Sequence, residues 1–393
     1  MFDEPLTDID HVSRSVVQAA IGKILDDPDK TIVLISHDWS WISFPYQHYV
    51  IDAGKLRKAK KNDLSADVFD LGIDEKKVFS NPSPAQVSEA TIAARLKIKE
   101  PLYFLGNKTF YLSNTDIEVY NSQNLGIVGS SGSGKSSLLR LFSGLSPPHM
   151  YHKKLELSVG TKAGQLDNFR SFKRRQWFGR TQVVFQDTTG SFMPGEKLID
   201  HFRRIERFKG AGNNFWKALN LWGAKLSLFR VPNGAPSSAH ELLKVSESRQ
   251  YLEKPFDDLS MGMRRRTGLL RAFLLLNIYN SDDSESPKIL LLDEISRGLD
   301  NTNRSLMAKA ISEYCKTYNV TTIAVSHDFS FLSEFCDCVQ IMYSGTLLPL
   351  RIGFNEVLKV RRGETIDGVD SPYYGQFIRG DDALERLSGI KSQ

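Results

Sequence analysis

The chain has 393 residues, of which 41% are hydrophobic and 25% charged, and this ordinary balance excludes a disordered or fibrous protein. Its 51 basic and 46 acidic residues leave a net charge of +5, too small to indicate nucleic-acid binding, and the basic clusters 55–61 and 173–175 are interpreted as solvated faces. No apolar run reaches the roughly 18 residues of a membrane span, and the first ten residues are acidic, so we expect a soluble, intracellular protein.

The first predicted unit repeats part of a later segment. The pair Asp3-Glu4 matches Asp293-Glu294 at an offset of 290 residues (293 − 3). Three further matches share that offset, namely Asp10 with Asp300, Arg14 with Arg304, and His37 with His327. We therefore interpret the chain as a C-terminal remnant of a first domain, a polar linker, a complete second copy and a C-terminal extension. Their predicted bounds are 1–66, 67–95, 96–350 and 351–393.

A glycine-rich loop follows the apolar, β-prone run LGIV at 125–128. The spacing GxxxxGK[ST] is met by Gly129, Gly134, Lys135 and Ser136. Apolar residues then recur at helical spacing, at Leu138, Leu139, Phe142 and Leu145. A strand, a glycine loop and a helix N-terminus in this order direct backbone N–H groups at a phosphate group.

This loop predicts a nucleotide site. We expect Lys135 to contact the β- and γ-phosphates of ATP and Ser136 to ligate Mg²⁺. The residues expected to surround the nucleotide here are Gly129, Ser130, Ser131, Gly132, Ser133, Gly134, Lys135, Ser136 and Ser137. The alternative, a glycine-rich turn with a solvated lysine, does not account for the flanking strand and helix patterns.

Two carboxylates end the next clear strand. The run KILLL predicts a strand buried on both faces, and Asp293 and Glu294 follow it, 158 residues after Lys135 (293 − 135). Ligands bind at this end of the strands in open α/β sheets. We expect Asp293 to hold Mg²⁺ through water and Glu294 to act as general base on the attacking water.

A histidine follows another apolar strand, TTIAV. His327 lies 34 residues after Asp293, and His37 lies 34 residues after Asp3 (327 − 293 and 37 − 3). A single histidine near a core is usually a satisfied polar group, but the repeated spacing favours a functional residue. We expect His327 to contact the γ-phosphate.

These residues, in this order, resemble the ABC ATPase family. The segment VVFQDTTGSFMP is similar to the family's Q-loop, which makes Gln186 a Mg²⁺ and lytic-water contact. The segment LSMGM resembles the LSGGQ signature, so Ser260 and Gly262 would contact the γ-phosphate across a dimer, although Met261 and Met263 depart from that pattern. The resemblance also implies a D-loop at Asp300 and an adenine-stacking aromatic at Phe104, with Tyr103 beside it.

The resemblance implies an α/β fold, a RecA-like P-loop NTPase core with a helical subdomain near 200–274. It implies ATP and Mg²⁺ as ligands, transmembrane permease subunits and a second ABC ATPase domain as partners, and no nucleic acid. The second domain would come from another copy of this chain or from a paralogous chain, because the first-copy remnant lacks both loop and signature. The expected location is the cytoplasmic face of the plasma membrane.

Within the family, FQDTTGSFMP and the segment SPYYGQFI at 371–378 resemble the dipeptide, oligopeptide and nickel importer ATPases. The predicted function is therefore ATP hydrolysis that drives a permease for peptides or a related small solute. Two alternatives stay open: a truncated or regulatory ABC protein that binds ATP with little turnover, and a soluble ABC ATPase outside transport. Because the first copy lacks both the phosphate loop and the signature, Asp3, Glu4 and His37 are interpreted as relics and not as catalytic residues.

Overall fold

A computed structural model describes most of the complete copy and scattered parts of the first 58 residues. The described residues are 2–3, 17, 19–24, 27, 29–35, 47, 49–52, 55–58, 91–103, 111–113, 115–129, 132–145, 154–160, 166–168, 179–209, 212–229, 238–278, 286–297, 299–343 and 345–361.

The described strands, in chain order, are β1 (Phe2–Asp3), β2 (Leu34–Ile35), β3 (Tyr49–Asp52), β4 (Lys55–Lys58), β5 (Ile92–Ile98), β6 (Leu102–Tyr103), β7 (Tyr111–Leu112), β8 (Thr115–Tyr120), β9 (Asn124–Val128), β10 (Leu155–Gly160), β11 (Leu166–Asn168), β12 (Thr181–Val184), β13 (Lys288–Asp293), β14 (Val320–Val325), β15 (Cys338–Tyr343) and β16 (Thr346–Ile352). The α-helices are α1 (Lys135–Phe142), α2 (Leu198–Lys209), α3 (Gly212–Lys225), α4 (Ala239–Lys244), α5 (Ser246–Leu252), α6 (Met261–Ile278), α7 (Asn301–Tyr318), α8 (Phe329–Ser333) and α9 (Phe354–Arg361).

A six-stranded sheet forms the centre of the complete copy. Its order is β12-β13-β14-β9-β15-β16, and every neighbouring pair is parallel except the last. All six residues of β13 are buried, which confirms the strand predicted from KILLL. Successive side chains of a strand point to opposite faces, and accordingly Ile289 and Leu291 enter one hydrophobic cluster whereas Leu290 and Leu292 enter the other.

The two clusters lie on opposite faces of this sheet. One cluster joins the sheet to α1 and to the antiparallel sheet β11-β10-β5-β8. The other joins it to the helices α2 to α9, and its aromatic residues include Trp222, Phe273 and Tyr314, with the last two rings stacked at 3.8 Å. The strands predicted from LGIV and TTIAV are confirmed as β9 and β14. The central sheet is thus covered on both faces, as parallel sheets require.

Helices α2 to α6 occupy most of the chain between β12 and β13. They are anchored on the central sheet through α6, because a β-carbon built on Gly268 would lie only 2.7 Å from the Thr188 side chain that follows β12. None of the helices in the described ranges is both long and apolar enough to cross a bilayer.

The described parts of the first copy pair as their counterparts do. β1 pairs with β2 in parallel, Phe2 with Leu34 and Asp3 with Ile35. In the second copy, Leu292 pairs with Ala324 and Asp293 with Val325, which is the same register shifted by 290 residues (292 − 2 and 324 − 34). The strand pair β3–β4 is antiparallel, like β15–β16. The repeat read from the sequence is therefore also a repeat of strand pairing.

Buried residues continue past both predicted bounds, 96 and 350, of the complete copy. β5 begins at Ile92, inside the predicted linker 67–95, because Ala93 and Ala94 pack in the core without the large β-branched side chains that mark a strand in sequence. At the other end β16 runs through residue 351, and Ile352, Phe354 and Val357 are buried in the helical-side cluster. Residues 352–357 of the predicted extension therefore pack against the core through these three side chains.

The helix after the glycine loop is shorter than its apolar spacing predicted. It ends at Phe142, and Leu145 is 50% exposed beyond it. The cause is Gly144, whose φ of 69° is left-handed and stops the helix at its C-terminus.

Candidate functional site

The carboxyl ends of four parallel strands bring the predicted residues to one edge of the sheet. β12, β13, β14 and β9 are neighbours and all parallel. Gln186 follows β12, Asp293 ends β13 and Glu294 follows it, His327 follows β14, and Gly129 follows β9. Residues that are up to 198 positions apart in sequence (327 − 129) therefore lie at this edge.

The glycine loop is shaped by three glycines. A β-carbon on Gly129 would lie 2.2 Å from the Met342 carbonyl oxygen, so no larger residue fits there. Gly132 and Gly134 have φ of 76° and 105°, a region that disfavours residues with a side chain. The loop is also tied to the turn between β15 and β16, since Gly345 N donates to Ser133 O at 2.9 Å. Ser130 and Ser131 lie outside the described residues.

Lys135 turns back over this loop. Its Nζ donates to Gly129 O at 2.9 Å, and its side chain is buried. The helix that Lys135 begins, α1, has no side-chain cap and no acidic residue in its first turn. Its first N–H groups and its positive dipole end are therefore directed into the loop, where an anion would be stabilised.

Ser136 and Asp293 meet across the sheet edge. Ser136 Oγ donates to Asp293 Oδ1 at 2.8 Å. Asp293 is 4% exposed, and burial raises the pKa of Asp293 above its ordinary value, with the negative charge of Glu294 acting in the same direction. Two hard oxygen atoms, one from a hydroxyl and one from a carboxylate, thus lie side by side beside the loop. This donor set suits Mg²⁺.

Glu294 lies between Lys135 and His327. Its Oε2 is 3.0 Å from His327 Nδ1, an ion-pair approach rather than an aligned hydrogen bond, and its Oε1 is 4.0 Å from Lys135 Nζ. Glu294 is also in a left-handed backbone conformation, with φ of 50°, and its N–H donates to Val325 O at 2.9 Å. A left-handed conformation is uncommon for glutamate and costs roughly 1–3 kcal/mol, so the surrounding strands hold this carboxylate in place.

The two pKa shifts in this pair have opposite signs. Burial favours a higher pKa for Glu294, but the contact with His327 and the charges of His327 and Lys135 outweigh burial and lower that pKa. Burial favours a lower pKa for His327, but the contact with Glu294 and the charges of Glu294 and Asp328 outweigh burial and raise that pKa. The pair is therefore stabilised as a carboxylate facing an imidazolium, with 34% of the His327 side chain still exposed.

Gln186 lies two residues beyond β12, at the same sheet edge and partly buried. The segment that follows it packs on α6, where Gly268 leaves room for Thr188. The Arg140 guanidinium of α1 lies 6.0 Å from the ring centre of Phe185, the residue before Gln186. The predicted Q-loop is thus connected both to the helix of the glycine loop and to the helix that carries the predicted signature.

The other predicted residues lie at helix starts. Ser260 precedes α6, and its Oγ accepts from Met263 N at 3.4 Å. A β-carbon on Gly262 would lie 3.3 Å from Leu299 Cδ2, so the start of α6 faces the segment before α7. Asp300 caps α7 by accepting from Asn303 N at 2.8 Å. The starts of α6 and α7 therefore lie side by side.

Several predictions fall outside the described residues. Phe104, proposed to stack on adenine, and the first-copy residues Glu4 and His37 are among them, and so is the segment 371–378. Asp3 lies in β1.

Arg304 was matched in the repeat but given no role. Arg304 Nη1 lies 3.1 Å from Asp328 Oδ2, directly after His327. The signal for this pair was available, because the first copy carries Arg14 and Asp38 at the same offset of 290 (304 − 14 and 328 − 38).

A profile of the ABC transporter family matches residues 112–297, from the end of β7 to the turn after Glu294. The chain contains an ABC ATPase domain. Of the sheet-edge residues described above, all but His327 lie within the matched range, and the family and fold predictions are confirmed.

Three relatives show how far the similarity extends. The Probable D,D-dipeptide transport ATP-binding protein DdpD of Escherichia coli is 26% identical over 265 residues, which are 65% of this chain and 70% of DdpD. The methionine import ATP-binding protein MetN of Clostridium acetobutylicum is 27% identical over 249 residues, 62% of this chain and 64% of MetN. The nickel import ATP-binding protein NikE of Pseudomonas putida is 25% identical over 246 residues, 61% of this chain and 76% of NikE. The chain thus spans about two thirds of the length of the first two relatives.

Proposed function

We propose that this chain binds Mg-ATP at the Lys135 loop and hydrolyses it, as the ATP-binding subunit of a membrane transporter. One set of contacts carries the proposal. Ser136 Oγ lies 2.8 Å from Asp293 Oδ1. Glu294 lies between Lys135 Nζ and the His327 ring. A phosphate-binding lysine, a metal-binding oxygen pair and a carboxylate base with its histidine therefore share one sheet edge.

The residues of this edge fit a magnesium ion. In the proposal Ser136 ligates the ion, Asp293 holds it through water, and Gln186 contributes a side-chain oxygen from the end of β12. Mg²⁺ prefers such oxygen ligands and keeps several waters. When bound, the ion neutralises negative charge on the β- and γ-phosphates.

Glu294 is proposed as the general base. Its lowered pKa keeps the carboxylate ionised at neutral pH, so that it can accept a proton from the attacking water. His327 presents Nδ1 to Glu294 and retains Nε2 for an oxygen of the γ-phosphate. The backbone bond from Glu294 N to Val325 O fixes the base relative to the strand that precedes the histidine.

A second ABC domain is proposed to complete the site. The family resemblance places Ser260 and Gly262 on the γ-phosphate of a partner, and in this chain they lie against the segment before α7. The partner is a second copy of this chain or a paralogous chain. Residues Thr189–Ser191 after the Q-loop form a short 3-10 helix, and Met193 beyond it is 57% exposed. This exposed segment is the proposed contact with permease subunits, at the cytoplasmic face of the membrane.

The proposed cargo is a small solute, with peptides as the first choice. The support is the resemblance to peptide importer ATPases and the name of DdpD. The names of MetN and NikE show that similar ATPases belong to importers of other small solutes. Uptake of labelled dipeptides by cells with and without the gene tests this choice, and unchanged uptake would remove peptides from the proposal.

A regulatory protein with little turnover is the second candidate. Met261 stands where the LSGGQ pattern has its first glycine, and this side chain is 65% exposed at the start of α6. A large exposed side chain at the expected dimer contact favours weak closure on ATP.

Magnesium-dependent ATPase assays separate the two candidates. We expect the wild-type protein to hydrolyse ATP and Glu294→Gln to lose activity by about two orders of magnitude or more, because the amide cannot accept the proton. Glu313→Gln, which removes a remote carboxylate paired with Lys225 on the surface, is the matched control and keeps activity. Equal inactivity of wild type and Glu294→Gln would favour the regulatory candidate.

A further inference from the structure

Arg304 connects two segments that the proposed reaction uses separately. Its Nη1 lies 3.1 Å from Asp328 Oδ2, and its Nη2 donates to Leu299 O at 3.4 Å. Asp328 directly follows His327, and Leu299 directly precedes Asp300. The Arg304 and Asp328 side chains are only 24% and 17% exposed, so this ion pair is more shielded from water and salt than a surface pair.

The Asp328 side of this bridge fixes the histidine. Asp328 Oδ1 accepts from Phe331 N at 3.0 Å as the cap of α8, and Asp328 N donates to Ser326 Oγ at 3.0 Å. Ser326 Oγ in turn lies 3.3 Å from Ser296 Oγ. His327 therefore stands between two anchored neighbours, and the direction of its ring depends on where Asp328 is held.

The Leu299 side of the bridge reaches the predicted signature. The Leu299 side chain is 2% exposed, and its Cδ2 is the atom that a β-carbon on Gly262 would meet at 3.3 Å. Asp300 then begins α7 as its cap, and Arg304 lies one turn further along the same helix. A displacement of the segment before α7 would therefore move the Arg304 guanidinium and, through it, Asp328.

The internal repeat preserves this set of residues and not all its neighbours. Asp10, Arg14, His37 and Asp38 stand at the same offset of 290 as Asp300, Arg304, His327 and Asp328. By contrast, the next contact between α7 and α8 is the bond from Ser305 Oγ to Glu334 Oε2, and residue 44, at the same offset from Glu334, is Phe. The arginine–aspartate bridge is thus repeated where an adjacent bridge between the same helices is not.

We propose that Arg304 is a positioning residue, which makes the placement of His327 depend on the segment Leu299–Asp300. Through this segment, the placement of His327 also depends on closure of the predicted signature against a partner. This inference rests on the proposed ATPase function. In it, Arg304 touches neither ATP nor metal. It transmits the position of the segment before α7 to the residue beside the histidine.

The experiment compares three variants by steady-state ATPase kinetics. We expect Arg304→Gln to lower kcat about tenfold with an unchanged KM for ATP, since a misplaced catalytic group affects turnover rather than binding. Arg304→Lys, which can pair with Asp328 but cannot also reach Leu299 O, should recover part of that loss. Glu313→Gln on the same helix, which breaks the ion pair with Lys225, is the control and should match wild type.

Two results would overturn this inference and leave the proposed ATPase function intact. The first result is that Arg304→Gln turns over ATP as fast as Glu313→Gln does. It refutes only this inference when wild type is active and Glu294→Gln is inactive. The other is a raised KM with unchanged kcat, which would make Arg304 a residue of binding or folding.

If wild type binds ATP without turnover, amide hydrogen exchange tests the coupling through Arg304. Mg-ATP should then slow amide exchange in both 299–304 and 326–331 of wild type, but only in 326–331 of Arg304→Gln. Equal protection of both segments in the two proteins would refute the coupling. A wild-type protein that does not bind Mg-ATP would remove the proposed function and this inference together.

Discussion

A buried histidine on α2 gives a prediction whose size can be worked out from the structure. His201 is 4% exposed, and its ring centre lies 4.5 Å from that of Phe192. Arg204 Nη2 lies 3.1 Å from His201 Nδ1 and also pairs with Glu196 at 2.7 Å. Because an arginine only donates hydrogen bonds, Nδ1 accepts from Arg204 in the neutral ring, and the Glu196 carboxylate lies 3.5 Å from the same nitrogen.

Burial, followed by the positive charges of Arg271 and Arg204, lowers the pKa of His201 to about 3 from its ordinary value of 6.5. Since the folded pKa is the lower one, the unfolded chain takes up a proton first as the pH falls. The stability that a neutral His201 contributes is therefore complete above pH 6.5 and is lost between pH 6.5 and about 3. The slope is about 1.4 kcal/mol per pH unit, which makes the loss near pH 5 about 2 kcal/mol.

Urea unfolding at about pH 7 and about pH 5 measures this loss. His201→Gln removes the titrating group and keeps an acceptor for Arg204. We expect the free energy of unfolding of wild type to fall by about 2 kcal/mol more than that of His201→Gln over this interval. His240→Gln, at an exposed position, is the control and should behave as wild type. An equal fall for wild type and His201→Gln would refute the reasoning.

Two further predictions concern the site's supports. Gly268→Ala should lower the free energy of unfolding by roughly 1–2 kcal/mol, because its β-carbon would lie 2.7 Å from Thr188 Cγ2. The control is Gly190→Ala, whose β-carbon would meet no atom within 4 Å and which should change the free energy of unfolding little. Similar losses for both variants would contradict this packing. Ser136→Ala removes the hydroxyl beside Asp293, so we expect the Mg²⁺ concentration needed for half-maximal ATP hydrolysis to rise about tenfold, while binding of metal-free ATP stays unchanged. An unshifted Mg²⁺ titration would show that Ser136 is not a metal ligand.

The sequence predicted the central strands because their signal is strong and local. KILLL and TTIAV are continuous apolar runs, and such runs form strands buried on both faces in parallel sheets. The glycine loop was equally readable, since Gly132 and Gly134 occupy left-handed conformations that few other residues adopt. The meeting of Glu294 and His327 followed from the rule that carboxyl ends of parallel strands share an edge.

The parts that were missed depend on packing at a distance. The start of β5 at Ile92 rests on pairing with β8 and β10, and Ala93 and Ala94 give no periodic signal for it. The helix after the loop ends at a left-handed Gly144, although Leu145 continues the apolar spacing. The repeat marks both Arg304 and Asp328, but only three-dimensional contacts revealed that Arg304 bridges Leu299 and Asp328.

Isothermal calorimetry of the purified chain with Mg-ATP tests the central claim most directly. We expect saturable heat for wild type and for Glu294→Gln, which retains the phosphate loop. Lys135→Ala should weaken binding by about tenfold or more, since the lysine charge on the β- and γ-phosphates is removed. Absence of heat from wild type at millimolar Mg-ATP, or equal affinity of wild type and Lys135→Ala, would contradict the nucleotide site at this sheet edge.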